Sequence, residues 1–119
     1  MSETTFDSIA ENVRANGGVI TVKASQLREA QGAGRLTQRI NEEISEALRR
    51  RGLGHVPFYS EDMPTSQYEQ VRVYDATSAL GKIIEAAHTP GDDEDLTLRE
   101  GIDGEAAGLL SQIRALIAE

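Results

Sequence analysis

Ser25-Gln26-Leu27-Arg28-Glu29-Ala30-Gln31-Gly32-Ala33-Gly34-Arg35-Leu36-Thr37-Gln38-Arg39-Ile40 is the stretch that decides the fold. Serine is a residue type that caps helices by accepting a bond from the first turn. Ser25, with Leu27 and Ala30 facing inward, therefore predicts a short helix over 26–31. Gly32-Ala33-Gly34 predicts a tight turn, because glycine reaches backbone conformations closed to other residues. Beyond it, Leu36, Ile40, Ile44, Ala47 and Leu48 recur at helical spacing and form the buried stripe of a longer helix over 35–51. Arg49-Arg50-Arg51 complements the dipole of its last turn, and Gly52 ends it.

Upstream, Phe6, Ile9, Ala10 and Val13 share one face of a helix over 5–15, which Asn16-Gly17-Gly18 stops. Val19-Ile20-Thr21-Val22 is β-branched and too short for a helix, so it predicts a brief strand. Downstream, the helical period disappears between Leu53 and Asp75. His55-Val56-Pro57-Phe58-Tyr59 predicts an extended segment, and Gln70-Val71-Arg72-Val73-Tyr74 alternates as a strand does. With Pro64 in the loop between them, they form a hairpin with a long tip.

Leu80, Ile83, Ile84 and Ala87 restore a helical face over 77–88, and Thr89-Pro90-Gly91 breaks it. Asp92-Asp93-Glu94-Asp95 opens what the composition predicts to be an acidic linker, running to about Gly104. The most regular stripe follows: Ala106, Leu109, Leu110, Ile113, Leu116 and Ile117 predict an amphipathic helix over 105–118. The fold class expected is mainly α with a small β-hairpin. The organisation is a domain over 1–89, a linker over 90–104 and a C-terminal helix over 105–119.

The chain has 119 residues, about the size of one domain, with 39% hydrophobic residues and only 4% aromatic, so its core is aliphatic. It contains no cysteine, which excludes disulfides, thiolate metal sites and thiol nucleophiles. No window approaches the roughly 20 apolar residues that cross a bilayer, and the acidic start lacks the apolar core of a secretory leader. A cytoplasmic, membrane-free protein is expected. The net charge of −8 is uneven: −2 over residues 1–19, +3 over 20–53, −3 over 54–89 and −6 over 90–119. The two central helices lie in the only net-basic segment.

No catalytic constellation is legible. An EF-hand loop opened at Asp93 would put Leu98 where glycine belongs and Gly104 where the final carboxylate belongs. Leu80-Gly81-Lys82-Ile83 resembles the end of a phosphate-binding loop, but Ala76 replaces its first glycine and Ile83 its Ser or Thr. His55 and His88 stand on different elements without partners at a triad or zinc spacing. A non-enzymatic protein without cofactor or metal is expected.

The order helix, strand, short helix, turn, longer helix, hairpin over residues 5–75 resembles the winged helix-turn-helix domain. In that family the second helix of the pair enters the DNA major groove with its N-terminal residues at base edges, and the hairpin contacts the backbone or minor groove. The resemblance implies a DNA-binding transcription regulator. Arg35, Thr37, Gln38 and Arg39 would read bases, Lys23, Ser25 and Arg28 would hold phosphates, and Arg72 would act from the hairpin. It also implies a homodimer built by the added terminal helix through Leu109, Leu110, Ile113, Leu116 and Ile117, a face that a protein partner would equally cover. The alternative is an acidic protein-interaction module of the same fold that binds no DNA. Glu42 and Glu46 on the outer helix face, and Glu61 and Asp62 at the hairpin tip, speak for it.

Overall fold

Thr5 starts the first helix by a reciprocal cap. Its Oγ1 accepts from the Ser8 backbone N–H at 3.0 Å, and Ser8 Oγ accepts from the Thr5 N–H at 2.9 Å. Helix α1 then runs Phe6–Ala15 and buries Phe6, Ile9, Ala10 and Val13. It leads into strand β1 (Val19–Lys23), helix α2 (Ala24–Gln31) and helix α3 (Gln38–Arg50). Strand β2 (Leu53–Val56), a 3-10 turn (Ser60–Asp62), strand β3 (Gln70–Asp75) and helix α4 (Ala79–His88) complete the order. This computed structural model describes residues 4–101.

The three strands form one antiparallel sheet in the order β1-β3-β2, so the domain is a small α+β fold. Val19 to Lys23 pair with Tyr74 to Gln70, and Leu53 to Val56 pair with Asp75 to Arg72. The hairpin expected from the alternation is present, but it gains a third strand, because the brief β-branched run lies along β3. Its first strand begins at Leu53 rather than His55, and the segment after Val56 leaves the sheet at a cis Val56–Pro57 bond.

Side chains alternate across the sheet. Val71 and Val73 enter the core with Val22, Leu53, Leu27, Ile44 and Leu48. Thr21, Lys23, Gln70 and Arg72 are exposed on the opposite face. Helix α2 starts two residues earlier than its serine suggested: Ser25 lies inside it, and its backbone N–H donates to the Gln67 carbonyl at 2.9 Å. Gly32 closes α2 with φ +73°, the left-handed turn that glycine adopts without strain.

Two units divide the chain, one ending at Gly81 and the other beginning at Lys82. In the second, residues 92–101 are helical, where composition had predicted a linker. The four acidic residues form the first turn of this helix, where negative charge meets the positive end of the dipole. The Asp95 N–H donates to the Gly91 carbonyl at 2.9 Å, and Thr97 Oγ1 to the Asp93 carbonyl at 3.1 Å. The stripe Leu109, Leu110, Ile113, Leu116 and Ile117 lies outside the described residues. Among those described, no helix is long and apolar enough to cross a membrane.

Candidate functional site

The first turn of α3 carries the residues singled out from the sequence, and the backbone there differs from expectation. The helix begins at Gln38, because Thr37 is its cap: Thr37 Oγ1 accepts from the Ile40 N–H at 3.1 Å. That bond engages the hydroxyl expected to face bases. Arg35 precedes the helix and is exposed, with no ion pair or side-chain hydrogen bond among the described residues. Gln38 and Arg39 are exposed on the first turn. Arg39 lies 3.7 Å from Glu43 with its side chain 87% exposed, a pairing of the i,i+4 kind that costs little to break.

Glu42 and Glu46 are exposed farther along α3, and Glu46 approaches Arg50 at 4.0 Å. Basic residues therefore stand at both ends of this helix, Arg39 in its first turn and Arg49 and Arg50 in its last, with the exposed carboxylates between them. Of the Arg49-Arg50-Arg51 run, Arg50 pairs with Glu46 and Arg51 with Asp7. Arg51 donates to Asp7 at 2.9 Å and lies over the Phe6 ring, fastening α3 to α1.

The loop from Pro57 to Glu69 does not project as an arm. Its 3-10 turn packs on α3, and Asn41 on α3 holds the next residues. Asn41 is 1% exposed, and its Nδ2 donates to the carbonyls of Met63 and Pro64 at 3.4 and 3.2 Å. The rest of the loop runs beside the α2–α3 turn. There an open groove of about 590 Å³ is lined by Arg28, Arg35, Thr65, Ser66, Gln67 and Tyr68, and by no carboxylate.

Arg28 is half-buried and lines this groove. Its Nη1 donates to the Ala33 carbonyl at 3.1 Å, which ties the side chain to the turn. Lys23 and Arg72 stand on the outer face of the sheet, away from the core face on which α3 packs. The structure thus brings Arg28, Arg35, Gln38 and Arg39 to one region and leaves Lys23 and Arg72 on another. Thr65 to Tyr68 were missed because nothing in a polar loop sequence signals which helix it will lie beside. The 76% exposure of Tyr68 also separates it from a packing role.

A second polar cluster was likewise invisible in the sequence. His55 is 4% exposed, with its Nδ1 2.6 Å from the Pro57 carbonyl and its Nε2 2.8 Å from Ser45 Oγ. A carbonyl only accepts, so Nδ1 carries the proton and Nε2 accepts from the Ser45 hydroxyl. This hydroxyl–imidazole–carbonyl chain has the order of a nucleophile, base and orienter. The imidazole is buried between α3 and β2, and neither His55 nor Ser45 lines the groove above. The Ser45–His55 hydrogen bond ties that helix to that strand.

Burial holds the His55 pKa below its ordinary value of 6.5; the bond to Pro57 opposes this, and Arg49 adds to the lowering. The folded chain keeps His55 neutral where the unfolded chain protonates it. Its contribution to stability is therefore complete above about pH 6.5 and is lost as pH falls below that value toward the folded pKa. Urea unfolding between pH 7.5 and 5.5 is expected to show a loss of stability that His55→Gln reduces. Equal pH slopes for both proteins would contradict the buried neutral imidazole.

No protein-family model, curated protein or solved structure matches this chain.

Proposed function

We propose that this is a winged helix-turn-helix protein that binds double-stranded DNA as a non-enzymatic, cytoplasmic regulator, with the first turn of α3 as its reading edge. The observation that carries this reading is the exposure of Arg35, Gln38 and Arg39 together at the start of α3, beside a groove free of carboxylates. The succession α1, β1, α2, α3, β2, β3 supports it, since that is the order on which the resemblance rests. Arginine suits guanine and glutamine suits adenine in the major groove. Glu42 and Glu46 restrict the contact to that first turn, because carboxylates do not approach phosphates without cost. Dimerisation through the 105–118 stripe belongs to the same proposal and rests on the sequence alone.

Exposed Glu42, Glu46, Glu61 and Asp62 favour a second reading, an acidic module for a basic protein partner. One comparison separates the two. At low salt, labelled duplex DNA is expected to bind the wild-type chain, and Gln38→Ala/Arg39→Ala is expected to weaken it by about tenfold or more, the cost of a lost charge-assisted contact. Equal binding by both proteins would remove α3 from the interface, and no binding by either would favour the acidic module.

A further inference from the structure

The groove between the α2–α3 turn and the loop entering β3 has a donor-rich composition that neither helix alone accounts for. Arg28 and Arg35 bring two guanidinium groups to it, from α2 and from the residue after the turn. Thr65, Ser66 and Tyr68 bring hydroxyls, and Gln67 an amide. Three carbonyls of this loop are occupied elsewhere: Gln67 and Glu69 accept from the Ser25 and Ala24 N–H groups at 2.9 and 2.8 Å, and Ser66 accepts from Glu69 at 3.2 Å. The lining thus carries two cationic donors and no anionic acceptor.

Arg28 supplies a second and independent observation. Its Nη1 is satisfied by the Ala33 carbonyl, yet its Nε is buried with no hydrogen-bond partner. A buried guanidinium N–H without an acceptor is costly, and a shift of this side chain that brought the N–H to an oxygen in the groove would relieve that cost. Two guanidiniums with three hydroxyls and an amide offer more donors than the two oxygens of a carboxylate use. They match the three or four oxygens of a phosphoryl group.

We propose that this groove binds a phosphoryl group, with Arg28 and Arg35 as its charge partners and Thr65, Ser66 and Tyr68 as hydroxyl donors. The inference deepens the DNA reading where the phosphate belongs to a duplex backbone. It stands without that reading where the phosphate belongs to a free phosphorylated molecule.

The test uses the full chain labelled with ¹⁵N, titrated separately with inorganic phosphate, AMP and a random duplex. Saturable shifts in the amides of residues 35 and 65–68 are expected with phosphate or AMP. Affinity is expected to fall about tenfold in Arg28→Gln and in Arg35→Gln and to hold within twofold in Arg50→Gln. Arg35 is exposed and tied to nothing described, so Arg35→Gln decides the matter if Arg28→Gln fails to fold. Duplex that competes with AMP for these amides identifies the backbone as the source. AMP binding without any duplex binding supports the groove while sinking the DNA reading. Duplex binding that both groove variants leave unchanged, with no shift from phosphate or AMP, overturns the groove and leaves the DNA reading standing. No shift from any of the three titrants overturns the groove as well.

Discussion

Leu48→Ala is expected to destabilise the domain by about 2–5 kcal/mol, read as a lowered urea midpoint at an unchanged slope. Leu48 is 0% exposed and shares the core with Val13, Ile44, Leu53, Val71 and Val73, which come from α1, α3 and the sheet. Truncation removes the transfer energy of the lost carbons and leaves a cavity that three converging elements cannot close together. A domain of this size has only about 5–15 kcal/mol in hand, so the variant approaches the unfolding threshold at physiological temperature. Leu80→Ala is the control, since Leu80 is exposed and its truncation is expected to change stability by no more than about 0.5 kcal/mol. Similar small effects at both leucines would mean that the core is not where α3 meets the sheet.

Gly81→Ala has the second-largest expected effect, and its sign is the informative part. Helix propensity alone predicts that alanine in α4 stabilises by up to about 1 kcal/mol. The packing predicts the reverse. A Cβ at Gly81 would overlap the Asp75 carbonyl oxygen and come within 2.8 Å of the Ala76 Cα, and neither backbone group is free to swing away. The same carbonyl accepts from Ser78 Oγ at 2.7 Å, and Ser78 Oγ accepts from the Gly81 N–H at 3.0 Å, so the start of α4 is laced to the end of β3. Overpacking of this kind costs about 1–3 kcal/mol, enough to outweigh the propensity gain. A lower thermal midpoint is expected, and a higher one would contradict the close approach. The glycine that resembled part of a phosphate-binding loop is thus required by backbone contact.

The elements legible in the sequence are those whose signals are local. Phe6, Ile9, Ala10 and Val13 marked α1, Gly32 marked the end of α2, and Ile44, Ala47 and Leu48 marked the buried face of α3. The alternation of Val71 and Val73 marked β3. What the sequence hid depends on partners distant along the chain. Asn41 reads as an outward polar residue until Met63 and Pro64 supply carbonyls from a loop more than twenty residues away. Ser45 falls on the outer side of an ideal helical wheel, yet its hydroxyl meets His55 because β2 passes beside it. The acidic run at Asp92 shows the opposite failure. Composition suggested solvated coil, while the dipole of the following helix gives those charges a place.

The candidate site was legible in part for the same reason. Arg35, Gln38 and Arg39 follow the glycine turn directly, so their proximity is fixed by sequence separation. Arg28 and the Thr65 to Tyr68 segment join them only through the fold, by way of the Ala33 carbonyl and the bonds from Ala24 and Ser25. Arg72 and Lys23 looked equivalent to the others by residue type, and strand alternation places them across the sheet from α3.

The most direct measurement is the salt dependence of binding between the wild-type chain and a labelled random duplex, followed by fluorescence anisotropy. Arg28, Arg35 and Arg39, with a hydroxyl-bearing loop beside them, offer contact to about two to four phosphates. The logarithm of the binding constant is therefore expected to fall linearly with the logarithm of salt, with a slope of about −2 to −4. Binding that is absent at the lowest salt, or present with no salt dependence, would contradict a DNA interface at the first turn of α3.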